Sequence, residues 1–147
     1  MPISRGSLVL NSASPFDAPL IDPGFLSTDV DVETFVAAVQ ALNTFVAADA
    51  WKGYIIAPAK GSPDYSSAQS IAIYVRKNAI SIHHPVSTAR IVDLQTGKGV
   101  LNGDLTVRGA RGLRIVDASV LPYIPAGHPQ TVVYALAERA VDFITQS

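Results

Sequence analysis

Residues 105–122 read LTVRGARGLRIVDASVLP, and the fold class can be predicted most directly from this stretch. Two short apolar runs, Leu105–Val107 and Leu113–Val116, flank a connection with glycines at 109 and 112. β-Branched runs bounded by glycine are typical of strands, so we predict two short antiparallel strands here. Asp117 follows the second strand directly, where a carboxylate either contacts a ligand or caps a turn.

The chain downstream of this stretch leads into a helix. Val120–Gly127 is apolar and broken by prolines, which indicates a buried or cleft-lining loop. Proline suits the first position of a helix, so we predict a helix from Pro129 to about Ile144. Its apolar positions form a wide arc, and we therefore expect it to be covered on more than one side.

Two more helices are predicted upstream. Over Asp29–Ala50 apolar residues recur at helical spacing and form one stripe: Val32, Phe35, Val36, Val39, Leu42, Phe45 and Val46. Thr28 together with Asp31 is expected to cap the start of this helix. A serine followed by proline predicts the start of the second helix, Ser62–Asn78.

Short extended segments complete the pattern. Strands are predicted at Ser7–Leu10 and Ile80–Ile82, and Ala89–Asp93 is predicted to be extended. Three prolines mark Asn11–Gly24 as extended or turning chain. Helices that are separate from short strands predict an α+β fold with a short, mainly antiparallel sheet and flanking helices. At 147 residues the chain has the length of a single domain, 1–147.

Composition excludes several classes of protein. Lys and Arg number 11 and Asp and Glu number 12, so we expect no nucleic acid and no anionic membrane surface as a partner. The absence of cysteine excludes a disulfide scaffold, a thiolate metal site and a cysteine nucleophile. The first residues lack an apolar secretory segment, and prolines break the longest uncharged stretch, Ala118–Ala137. The prediction is a soluble protein with a cytoplasmic location by default.

Charged residues are scarce, at 16% against about 25% in an average domain, and the mean hydropathy is +0.28. Two interpretations remain open. In the first, part of the surface binds a partner. In the second, the chain is a compact Ala- and Val-rich protein whose surface carries few charges.

The three histidines lie in two contexts. His83 and His84 are adjacent, and on extended backbone their side chains would point in opposite directions, so at most one faces a given pocket. His128 directly precedes a predicted helix N-terminus, where an imidazole can act as a base or donate to a developing alkoxide. The alternative is that each histidine is an ordinary loop residue that forms hydrogen bonds with its neighbours.

Other catalytic patterns are missing from the sequence. No G-x-S-x-G elbow and no H-E-x-x-H metal motif occurs, so we predict neither a serine hydrolase nor a metal site. The glycines lack the strand, G-x-G-x-x-G, helix order that binds a dinucleotide.

Several motifs in a fixed order carry a family resemblance. Residues 84–89 read HPVSTA, residues 105–109 and 112–122 read LTVRG and GLRIVDASVLP, and residues 127–131 read GHPQT before AERA at 137–140. These motifs, with SRGSL at 4–8 and PLIDP at 19–23, resemble the C-terminal domain of glucose–methanol–choline (GMC) oxidoreductases. The similarity covers nearly the whole chain and looks closest to the aryl-alcohol oxidase branch, which carries two histidines at these places.

The resemblance implies a chemistry. The family oxidises a primary or secondary alcohol by hydride transfer to FAD. His84 would be the base that takes the hydroxyl proton, and His128 would orient the same hydroxyl.

It also implies further contacts. Residues expected beside the flavin are Asp117, Ala118, Pro129, Gln130 and Thr131, and those expected to line the substrate side are His83 and Tyr123. The substrate would be an apolar or aromatic small molecule.

The sequence also departs from this family. The amino-terminal half with its G-x-G-x-x-G fingerprint has no counterpart here. Ser87 replaces the motif glycine, Ile91 replaces the usual methionine, and Asp93–Gly103 lacks the usual V-V-D.

Three functions are therefore open. The chain is the substrate-binding part of a flavoenzyme, with the FAD-binding domain supplied elsewhere, as a second subunit or within a homodimer. Alternatively, it is a free-standing isomerase, lyase or cyclase that needs no flavin and uses His84 and His128 for acid–base chemistry. The third possibility is a non-catalytic domain that pairs with an intact homologue.

Overall fold

The computed structural model describes residues 2–146. The chain divides into two compact units, residues 2–80 and residues 81–146. The single domain expected over 1–147 stays a prediction. Within the described residues no helix combines the length and the apolar character needed to cross a membrane.

The first unit contains the sheet. β1 (Ser7–Val9) pairs antiparallel with β2 (Leu20–Asp22), with Ser7 opposite Asp22 and Val9 opposite Leu20. β1 confirms the strand predicted near residues 7–10. β2 lies in the proline-punctuated segment that was predicted to be extended or turning.

The first helix, α1 (Asp29–Val46), begins where the apolar stripe predicted. It ends at Val46 rather than near Ala50, and a separate 3-10 turn follows at Asp49–Trp51. The predicted cap by Thr28 and Asp31 is wrong, because no side chain caps the helix start. The buried Asp31 carboxylate instead accepts the backbone N–H groups of Ile3 and Ser4, at 3.0 and 2.6 Å.

The second helix, α2 (Ala68–Asn78), starts later than predicted. Ser67 and Ser70 form a capping box, in which each hydroxyl accepts the other residue's backbone N–H. Asp64 accepts the backbone N–H of Ser66 at 2.9 Å and forms a turn ahead of the helix, so Ser62 is not its cap. The core of this unit lies between α1 and α2 and consists of Leu26, Val32, Ile71 and Val75.

Isolated bridges replace the strands predicted at 105–107 and 113–116, and one bridge lies in the extended segment 89–93, whereas the strand predicted at 80–82 is wrong. Ile91 bridges Leu101 in parallel, and two antiparallel bridges join Leu101 to Val107 and Thr106 to Arg114. On one side of this segment Val92 donates to the carbonyl of Leu101, and on the other side Ala89 and Ile91 donate to the carbonyls of residues 119 and 120. With three helices and a two-stranded antiparallel sheet in the described residues, the α+β class is confirmed.

The third helix, α3 (Gln130–Thr145), lies close to its predicted bounds, with Pro129 as its N-cap. Val120, in the 3-10 turn Ala118–Val120, is fully buried, as expected for the start of the loop that leads to α3. The expected cover of the wide apolar arc of α3 is incomplete within residues 2–146. Ala140 is buried, whereas Val141 and Ile144 are exposed.

Candidate active site

Two of the three histidines meet in the second unit. The ring centroids of His84 and His128 lie 6.1 Å apart, and the ring planes cross at 89°, so the imidazoles stand edge to face. His84 is half-buried and His128 is exposed. The structure therefore brings together the two side chains that the sequence singled out as a catalytic pair.

His84 comes from a loop with little regular structure. The backbone N–H of His83 donates to the Ser81 hydroxyl at 3.0 Å, and His83 has a φ of 63°. The expected extended backbone across His83 and His84 is therefore wrong at His83, which lies in the left-handed region. Beyond the loop, the buried Ala89 donates its backbone N–H to the carbonyl of Ser119 at 3.0 Å.

His128 is placed by the start of α3. It directly precedes the buried Pro129, whose carbonyl accepts the N–H of Val133 at 3.0 Å in the first turn of the helix. The N–H groups of the first turn have no acceptor within a helix and carry the positive end of its dipole. An oxygen with partial negative charge is favoured next to His128 for this reason.

A pocket of about 430 Å³ includes both histidines. Its described lining consists of His84, His128, Pro129, Gln130, Val133 and Tyr134. The Gln130 side-chain amide donates to the Tyr134 hydroxyl at 3.4 Å. The sequence reasoning missed Val133 and Tyr134, although they follow Gln130 by three and four positions and so share its face of the helix.

The remaining predicted site residues do not line this pocket. Asp117 accepts the backbone N–H of Ser119 at 2.8 Å and so caps the 3-10 turn, which is the plainer role that the sequence left open. Ala118 lies in that turn, Thr131 is exposed on α3, and Tyr123 and His83 are exposed on loops. Their contacts with a cofactor or substrate stay predictions.

The acid–base character of the pocket follows from its lining. No carboxylate is among its described lining residues, so its proton-accepting side chains are the two imidazoles. Two acidic groups of this unit, Asp93 and Asp104, lie in exposed turns elsewhere. The backbone N–H of Gln95 lowers the pKa of Asp93, and the hydroxyl of Thr106 lowers the pKa of Asp104. Within the described residues no three potential ligands come together in a way that would hold a metal ion.

Two facing imidazoles beside the first turn of a helix form a site that can accept a proton from a small hydroxyl compound or donate one to a carbonyl compound. The chain belongs to the GMC oxidoreductases, because the model of that family matches residues 2–137. The family predicted from the sequence is thus confirmed. Dehydrogenase eriK from Hericium erinaceus is 40% identical over 152 residues, which cover 99% of this chain and 25% of that protein.

Solved structures agree with this assignment. A mutant formate oxidase from Aspergillus oryzae, solved for the effect of the mutation on FAD modification, superimposes with a TM-score of 0.87 at 30% identity over 99% of this chain. A fungal aryl-alcohol oxidase superimposes with a TM-score of 0.81 at 33% identity over 96% of the chain. The chain covers 25% and 23% of those two structures, so it spans about a quarter of the length of its relatives.

Proposed function

We propose that this chain supplies the proton-handling side of the active site of an FAD-dependent alcohol oxidoreductase. The observation that carries the proposal is the His84–His128 pair, 6.1 Å between ring centroids, in a pocket at the start of α3. Membership of an oxidoreductase family supports the same class of reaction.

The surroundings of the two imidazoles favour a different role for each. His84, half-buried in its loop, takes the proton of the substrate hydroxyl as the C–H bond gives up a hydride. His128, more exposed and next to the helix start, donates a hydrogen bond to the same oxygen as it becomes a carbonyl. The products are a carbonyl compound, a protonated His84 and a reduced acceptor.

FAD, when bound, supplies the two-electron acceptor for that hydride. The local structure suits an electron-poor ring that gains negative charge, because the first-turn N–H groups of α3 point out of the helix beside Pro129 and Gln130. Asp117 and Ala118 are proposed beside the more distant part of the cofactor, as the resemblance implies.

The large area of exposed surface supports the proposal that this chain binds a partner. The solvent-accessible surface is 11034 Å². Surface scaling gives about 7,200 Å² for one folded protein of this mass and about 8,700 Å² for two separate globules of the size of the two units. The excess is apolar in part, since Val132, Val141 and Ile144 of α3 are exposed. The occupant we propose is an FAD-binding domain, in the same polypeptide, in a second subunit or in a homodimer.

The proposed substrate is an alcohol with an apolar or aromatic body. Pro129, Val133 and the ring of Tyr134 give the pocket apolar walls, whereas its polar groups cluster at the two histidines. This arrangement places the reacting oxygen at the imidazoles and the carbon skeleton against α3.

The test replaces the corresponding C-terminal quarter of the fungal aryl-alcohol oxidase with this chain. We expect the chimera to retain FAD and its flavin absorption band to bleach when an aromatic alcohol is added without oxygen. His84→Ala should slow the bleaching by about 10²–10⁴-fold, as removal of a general base does. His128→Ala should also slow it. His83→Asn gives the comparison, because it removes an exposed imidazole outside the pocket while asparagine tolerates the left-handed backbone at this position.

Other outcomes would redirect the assignment. A chimera that retains flavin but bleaches equally fast without His84 and His128 would reject the proposed roles. A folded chain that converts small hydroxy or carbonyl compounds without flavin, and loses this activity with both histidines, would favour the flavin-independent alternative. Complex formation without activity in any combination would favour the binding domain.

A further inference from the structure

The loop that carries His84 lies between two residues with unusual backbone conformation. His83 has a φ of 63° and Ser87 has a φ of 77°. Only four non-glycine residues in the described chain have a positive φ, and two of the four fall within these five positions. Such conformations are sterically unfavourable for a residue with a Cβ, so the surrounding structure must hold them.

The other bonds of the loop also restrict its backbone. Pro85 fixes its own φ and disfavours helical backbone at His84. On one side, Ser81 accepts the N–H of His83 at 3.0 Å. On the other side, Ala89 donates to Ser119 at 3.0 Å, which attaches the end of the loop to the 3-10 turn. Because Ala89 is held at the far end of the loop, a change of backbone direction at Ser87 moves His84. A change at His83 acts directly on the next residue.

We propose that His83 and Ser87 are positioning residues. Their left-handed backbone, and not their side chains, turns His84 towards His128. Neither side chain is among the described residues that line the pocket, which separates this role from contact with substrate. The consequence for catalysis rests on the proposed function, whereas the geometry does not.

The side chain at position 87 provides a graded test. Left-handed backbone becomes steadily less favourable from glycine through asparagine to alanine and then valine. We expect Ser87→Gly and Ser87→Asn to retain the nuclear Overhauser effect between the ring protons of His84 and His128 in the full chain. Ser87→Ala should weaken this signal, and Ser87→Val should abolish it.

Thr88→Val is the matched control. Thr88 is the exposed neighbour, it is not among the described residues with positive φ, and valine has the same shape as threonine. The ring-to-ring signal should not change in this variant. At position 83, His83→Gly should keep the signal and His83→Val should lose it, which repeats the test without changing Ser87.

The outcomes separate this inference from the proposed function. Equal ring-to-ring signals in the glycine, alanine and valine variants at both positions would overturn the positioning role and leave the function untouched. In the chimera, Ser87→Val should slow flavin reduction by about 10-fold to 10²-fold, since a 1 Å displacement of a catalytic group costs that much. Loss of the signal with no loss of rate would instead count against His84 as the base. If Ser87→Val does not fold, Ser87→Ala and His83→Val decide.

Discussion

Asp31 is the buried charged side chain of the described chain, with 6% of its surface exposed. The Ser4 hydroxyl, together with the backbone N–H groups of Ser4 and Ile3, lowers the pKa of this carboxyl to about 2 from an ordinary value of 3.8. A carboxylate whose pKa is lowered by folding stabilises the folded state only while it is ionised. Its contribution is complete above pH 3.8 and is lost as the pH falls through about 2.

We therefore expect the free energy of unfolding to decline between pH 4 and pH 2, and to decline less steeply in Asp31→Asn. The variant should also be less stable at neutral pH, because a neutral amide accepts the N–H groups of residues 3 and 4 less strongly. Urea titrations followed by circular dichroism across this pH range give the measurement.

Glu33→Gln is the control for Asp31→Asn, because Glu33 is an exposed carboxylate on the same helix. It should leave the acid decline in place. Asp64, whose pKa is lowered by the backbone N–H of Ser66, accounts for part of the slope that remains. An identical slope in wild type and Asp31→Asn would contradict the assignment.

The sequence singles out residues most readily where a neighbouring residue restricts their conformation. His84 before Pro85 and His128 before Pro129 have directions limited by the proline that follows, and the structure does bring them together. Asp31 was misassigned to a helix cap because its partners lie 27 and 28 positions away, which no local pattern shows. The left-handed backbone of His83 was missed for a similar reason, since nothing in the residue type requires it.

At the scale of elements, the start of α2 offers a direct comparison of two serines. Ser67 caps the helix, whereas Ser62, the cap predicted from sequence, lies ahead of the turn formed by Asp64. Ser67→Ala should lower the free energy of unfolding by about 1 kcal/mol, the usual cost of a lost cap. Ser62→Ala should change it by less than about 0.5 kcal/mol. Equal losses, measured by urea unfolding, would contradict the observed helix start.

The sheet depends on a close approach of two backbone segments. Gly24 has a φ of 61°, and a Cβ there would collide with the backbone of Arg5 next to β1. Gly53 has a φ of 78° but open space around its Cα. Gly53→Ala should cost about 1 kcal/mol for the left-handed conformation alone, and Gly24→Ala should cost at least about 2 kcal/mol because it adds the collision. Similar losses in thermal unfolding would show that the approach is not tight.

Helices could be predicted from sequence more reliably than strands, and the reason is physical. The helical stripe over residues 29–46 is a local repeat, so α1 begins where the pattern begins. A strand needs a partner for its backbone groups, and residues 105–107 and 113–116 do pair with each other, but only at the antiparallel bridge of Thr106 to Arg114. Val107 donates its N–H to Leu113 and Ile115 donates to Leu105, and the pairing extends no further. The sequence therefore predicted the antiparallel pairing of these two segments but not how short it is.

At the scale of the whole molecule, the apolar stripe on α1 extends beyond the residues that pack in the core. Val32 is buried, but Phe35, Leu42 and Phe45 are 49%, 55% and 58% exposed. A stripe of this width is usually covered on a soluble protein, so the exposed part is where we expect the chain to associate. Leu42→Glu should reduce the self-association of the isolated chain in sedimentation experiments.

The same substitution tests whether Leu42 belongs to a surface that binds a partner or to the core of this chain. Leu42→Glu should change the free energy of unfolding by less than about 0.5 kcal/mol, as exposed positions do. Ile71→Ala, at a side chain with 1% exposure on the neighbouring helix, should cost about 2–5 kcal/mol because it leaves a cavity. A loss at Leu42 as large as that at Ile71 would mean that this chain covers the stripe by itself. In the chimera, by contrast, Leu42→Glu should destabilise the protein if the proposed FAD-binding domain covers this surface.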